Sequence, residues 1–107
     1  MSVLQEVKRA YTDRTRDLDF RASRSVPASS LSVTLKPIGR YNEFSPTRVA
    51  RAVRAVDPSA RVYVGREYSP VLYIKTTRVV RMIEALRAVE ADSVSKQPRG
   101  WIRAWWS

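Results

Sequence analysis

At residues 31–36, Leu31-Ser32-Val33-Thr34-Leu35-Lys36, the pattern of the sequence changes, and the reading of this stretch decides the fold. Apolar and polar residues alternate with period two, which argues a half-buried strand with Leu31, Val33 and Leu35 on one side and Ser32, Thr34 and Lys36 on the other. Pro37 and Gly39 then break the pattern.

Downstream, "FSPTRVARAVRAVDP" (44–58) carries full helix punctuation. Ser45 fits the N-cap and Pro46 the first helical position, Phe44 and Val49 stand where a hydrophobic staple would put them, and Pro58 limits the far end. Val49, Ala52, Val53 and Val56 make its inward face, and Arg48, Arg51 and Arg54 recur every third residue outside it. "RVYVGREY" (61–68) and "VLYIKT" (71–76) read as two strands joined by a short turn near Ser69-Pro70, hence a hairpin. Thr76 or Thr77 then caps a helix over 78–92, whose Val79, Met82, Ile83, Leu86 and Val89 form a buried stripe. "SVSKQPRG" (93–100) reads as a polar break before a closing strand over 101–106.

Upstream, "RASRSVPASS" (21–30) has the composition of a flexible basic linker. Residues 2–18 read as an amphipathic helix, opened by Ser2 and Gln5 in capping-box spacing, with Leu4, Val7, Tyr11 and Leu18 on one narrow face. The predicted organisation is an N-terminal helix within 1–20, a linker over 21–30 and an α+β domain over 31–107. The element order of that domain is βαββαβ, a ferredoxin-like arrangement: a four-stranded antiparallel sheet with two helices on one face, strands one and three central. This strand order resembles that of RNA-recognition domains. Their RNP1 pattern of glycine and aromatics is absent, however: "VLYIKTT" has one aromatic and "LSVTLK" none. The residues and RNA specificity of that family are therefore not transferred.

Composition sets the functional class. With 107 residues, 44% hydrophobic and 28% charged, the chain suits one small globular domain. No apolar run approaches a membrane span and the first twenty residues are charged throughout, so the expected location is cytoplasmic, with no membrane partner. The absence of cysteine and histidine removes disulfides, thiolate sites and the commonest general base, and no cofactor or metal is expected. Glycines stand singly, without a phosphate-binding loop, and the close carboxylate pair Asp17 and Asp19 reads as a helix end, so no enzymatic site is expected. Twenty Lys+Arg against ten Asp+Glu give a net charge of +10, mostly arginine, whose planar fork binds phosphate and stacks on rings.

Alternation assigns the aliphatic residues of the strands, with Ile102, Ala104 and Trp106 of the last one, to the core face. The other face collects Lys36, Arg61, Tyr63, Tyr73, Lys75, Trp101, Arg103 and Trp105. Rings offer stacking to bases of any sequence and cations track phosphates, the chemistry single-stranded nucleic acid needs. Two Trp and two Tyr amount to an apolar patch of up to about 600–1,000 Å², above the ~300–600 Å² of a typical monomer's largest patch, so a cover is required. Nucleic acid, the N-terminal helix folded back, or a second copy in a homodimer would each serve. Coverage by the chain itself would move nucleic-acid binding to Arg48, Arg51 and Arg54 and the basic linker. The expected function is a small basic nucleic-acid-binding protein, single strands favoured, sequence selectivity weak. The alternative is a protein-interaction or inhibitor module whose aromatic face or leading helix takes an acidic protein partner.

Overall fold

The computed structural model describes residues 20–66 and 68–107, so the helix read over 2–18 lies outside the described residues. Residues 20–24 are helical (α1). Val26–Pro27 forms a two-residue strand (β1), and a helical run follows: a 3-10 turn over Ala28–Ser30, α2 over Leu31–Leu35 and a second 3-10 turn over Lys36–Ile38. The chain continues with α3 (Pro46–Val56), β2 (Arg61–Arg66), β3 (Pro70–Lys75), α4 (Val79–Ala88), β4 (Ser93–Lys96) and β5 (Trp101–Trp105). The strands make one antiparallel sheet in the order β1-β2-β3-β5-β4. Among the described residues no helix is long and apolar enough to cross a membrane.

The fold is therefore α+β, with the predicted β2–β3 hairpin, both long helices and the closing strand in place, but the four-stranded βαββαβ order is corrected to five strands. The first strand of that order does not form, because "LSVTLK" is helical. Leu31 and Leu35 are fully buried, whereas Val33, which a strand would place beside them, is 75% exposed. Positions four apart share a face in either geometry, and only the residue midway tells a helix from a strand. The helical stripe also begins earlier: Ala28, Leu31 and Leu35 (i, i+3, i+7) are all buried. Gly39 ends the run at φ +70 and ψ −173, a region open to glycine and closed to other residues. Within the stretch read as a linker, residues 20–24 are helical and Val26–Pro27 pairs with β2. The polar break likewise contains β4, a short edge strand whose single apolar residue, Val94, packs on the core. Polar edge strands discourage pairing with other chains and carry little hydrophobic signal.

Helices α2, α3 and α4 lie on the aliphatic face of the sheet. In α3, Ser45 holds the N-cap position and Pro46 the first helical position, and Phe44 and Val49 are both fully buried. Its far end is tied to the start of α4. Thr76 Oγ1 donates to Asp57 (2.6 Å) and accepts from the Arg78 N–H (3.0 Å), while the Arg78 guanidinium donates to the Val56 carbonyl (3.0 Å). That places a cation on the carbonyl end of α3, the favourable sign for the helix dipole. Trp106 closes the core as alternation predicts: it is fully buried, packs edge-on against Phe44 at 5.1 Å and donates Nε1 to the Val89 carbonyl (3.0 Å).

Just before β4, Asp92 accepts the Ser107 main-chain N–H (2.6 Å) and hydroxyl (2.7 Å), and its own N–H donates to the Trp105 carbonyl (2.9 Å). The two Ser107 bonds, the main-chain one first, hold the Asp92 carboxyl below its ordinary value of 3.8. A depressed folded value means that the clamp is complete above the ordinary value and is lost as pH falls through the folded one. An NMR titration should place the Asp92 midpoint below 3.8, and Asp92→Asn should remove that part of the acid-side loss of stability. For the helical run, Leu35→Ala should cost about 2–5 kcal/mol in urea unfolding. Val33→Ala should stay within about 0.5 kcal/mol; equal, large losses at both positions would restore the strand.

Candidate nucleic-acid interface

Register lays out the sheet face opposite the helical layer. Arg61, Lys75 and Trp101 form one cross-strand row; Tyr63, Tyr73, Arg103 and Ser95 the next; Gly65, Val71, Trp105 and Ser93 the third. Seven of the residues expected on this face, Arg61, Tyr63, Tyr73, Lys75, Trp101, Arg103 and Trp105, are thereby brought together. Lys36 is not: it stands exposed on the 3-10 turn after α2, in the helical run on the other side of the sheet. The strand that would have carried it to the aromatic face does not exist. Arg48 and Arg51 are exposed and Arg54 half-buried on α3, also in the helical layer.

The aromatic face is not bare. Val71, Tyr73 and Trp101 make a second apolar cluster, with Tyr63 and Trp105 packed against it, and Tyr73 and Trp101 are only 5% and 2% exposed. Part of the cover is α1. Phe20 meets Tyr63 edge-on at 6.1 Å, the Arg21 guanidinium lies 3.8 Å from the centre of the Tyr73 ring, and Arg24 sits 5.1 Å over Phe20. Tyr63 and Tyr73 are themselves 6.1 Å apart and tilted. The position over Tyr73 that a base would take is occupied by the chain's own cation. Such a contact is worth about 0.5–2 kcal/mol, depending on how dry it is.

The polar groups of this face are partly committed as well. Arg61 donates Nε to Ser25 Oγ (3.1 Å) and Nη2 to the Ser25 carbonyl (2.6 Å), which fixes the junction where α1 passes into β1. Arg103 donates Nε to Tyr73 Oη (3.3 Å), and Trp105 donates Nε1 to Ser69 Oγ. Lys75 stands exposed at the end of β3. Among the described residues, no group of three or more His, Cys, Asp or Glu side chains is gathered as a metal site would require.

Reading the sequence missed Phe20, Arg21 and Arg24, which were divided between a helix end and a linker. A signal was available: Phe20 and Arg24 stand at i and i+4, the spacing that lets a cation lie over a ring on one helix face. Arg61→Ala should free Ser25 and speed amide exchange across residues 22–26, with β3 still protected. The loss in global stability should be about 1 kcal/mol. Unchanged exchange there would mean that the Arg61–Ser25 bonds do not anchor α1. Comparison of the chain with protein-family models, curated proteins and solved structures finds no match.

Proposed function

We propose that this chain is a small, basic, non-enzymatic nucleic-acid-binding protein that prefers single strands, has weak sequence selectivity and holds the backbone through the arginines of its helical layer. The supporting observation is the solvent side of that layer. Arg48 and Arg51 on α3, with Arg81 and Arg87 on the adjacent α4, stand exposed and outnumber Glu84 and Glu90 there. Among the described residues none of the four arginines is drawn into an ion pair. Exposed guanidinium groups without ion-pair partners suit phosphates in any sequence. The sheet-face rings play no part in this reading, since Tyr73 and Trp101 are buried.

A second reading, a protein-interaction module, is favoured by one observation: β2 runs past the end of β1 and leaves an unpaired edge. Titration of a labelled oligothymidylate or oligouridylate separates the two. Binding should be detectable with micromolar protein at ~50 mM salt and weaken with a log–log salt slope of about −0.7 per phosphate contacted. Replacing Arg48, Arg51 and Arg54 together by Gln should make that slope shallower by up to about 2, whereas Trp105→Ala should leave affinity unchanged. Absence of binding at low salt would falsify the proposal. Loss of binding in Trp105→Ala alone would return the site to the sheet face.

A further inference from the structure

β2 is longer than the strand that covers it. β1 pairs only Val26 with Val62 and Pro27 with Arg61, while β2 runs on to Arg66. Phase follows from one bond: the Ala28 N–H donates to the Ala60 carbonyl (2.9 Å), so residue 60 faces the β1 side. Alternate residues of an antiparallel strand direct both main-chain groups to the same neighbour, so Val62, Val64 and Arg66 face that side too. β1 has ended by Val64, because the chain turns away at Ser25 into α1. Among the described residues, the outward N–H and C=O of Val64 meet no main-chain partner on that side.

A groove of about 910 Å³ runs along this edge. Phe20 and Arg24 of α1 stand on one side of it, Pro37, Ile38 and Tyr41 on the other, with Val64 and Gly65 at the strand between them. Four of the six large hydrophobic residues exposed among the described residues line it, including Phe20 (51%) and Tyr68 (100%). The groove contains Arg24 and, among the described residues, no carboxylate; Glu43, on the turn after Tyr41, does not line it. Lys36 and Arg40, both exposed, flank the Pro37–Tyr41 side.

We infer that the open edge of β2 takes an extended acidic peptide as a sixth strand, laid between α1 and the Pro37–Tyr41 segment. An edge that alternates donor and acceptor is matched by a polypeptide backbone, which brings both; a phosphodiester backbone brings acceptors alone. Side chains of an added strand alternate between two faces, and here each face meets an apolar wall with a cation beside it. The charge argues against a second copy as occupant, since two chains of +10 would meet with like charges. The inference does not rest on nucleic-acid binding.

The test uses the full chain and a blocked, fluorescein-labelled octapeptide alternating glutamate with valine, followed by anisotropy, with a lysine-for-glutamate peptide as control. Val64→Pro removes the outward N–H without touching the β2–β3 ladder, and Ile38→Glu places a like charge in the groove. Saturable binding of the glutamate peptide, weakened about tenfold or more by each variant and absent for the lysine peptide, is the expected result. Each of the following overturns it: no saturable binding, equal binding of the lysine peptide, or unchanged affinity in Val64→Pro. Displacement of the peptide by an oligonucleotide would assign the groove to nucleic acid, and self-association abolished by Val64→Pro would assign it to a second copy; both overturn it too. If Val64→Pro does not fold, amide exchange at Val64 in the unaltered chain decides: slowed by the peptide, the inference stands; unslowed, it fails.

Discussion

β3 is buried on both faces: Pro70, Val71, Leu72, Tyr73 and Ile74 are five consecutive residues withdrawn from water. A strand in that position needs two covers, and the rest of the architecture supplies them. Leu72 and Ile74 face the layer made by α2, α3 and α4, where Leu31, Leu35, Val53, Met82, Leu86 and Trp106 complete the main core. Val71 and Tyr73 face the other way, into the cluster with Trp101, onto which α1 delivers Phe20 and Arg21. Both neighbours of β3 repeat its division of faces, because directly opposed residues in an antiparallel pair share a side. The Arg61–Ser25 bonds and the Asp57–Thr76–Arg78 junction then act at the margins, the first anchoring α1 beside the sheet and the second tying the end of α3 to the start of α4 within the other cover.

Much of this was legible in the sequence, for reasons that also explain what was not. Alternation divided the last strand correctly, with Trp106 and Ile102 inside and Trp105 and Arg103 on the other face, because period two is unambiguous when both faces carry large residues. "LSVTLK" failed because six residues are too few. Leu31 and Leu35 satisfy both periods, and the one residue that discriminates, Val33, has a high strand propensity and is exposed. Beginning the domain at residue 31 also cut Ala28 away from the stripe to which it belongs. β4 and β1 were hidden for a different reason: edge strands bury little, so their sequences look like loops.

The candidate site shows the same split between composition and geometry. Alternation gathered seven of the expected rings and cations onto one face and misplaced Lys36, but it could not say which partner those groups had already found. Arg61 reads as a phosphate ligand and serves as an anchor; Arg21 reads as part of a flexible arm and lies on Tyr73. The arginines of α3 carry the argument for nucleic acid because their helix has spent its apolar side on the core and left its charged side to solvent. An interior needs hydrophobic faces, and those faces leave a periodic signature; a surface cation leaves none that separates structural from binding roles.

The three tryptophans are divided between the two sides of the sheet, one in the main core and two in the cluster opposite. Trp106 is sealed in the main core with its indole N–H on a carbonyl, Trp101 is buried in the cluster across the sheet, and Trp105 is half-open beside the β2–β3 hairpin. Indole emission depends on local polarity, so Trp106 is an internal optical probe of the main core, and Trp101 and Trp105 are probes of the side that α1 covers. Double Trp→Phe variants that keep one ring at a time would resolve whether the two sides of the sheet melt as a single cooperative unit, or whether the α1 side lets go first.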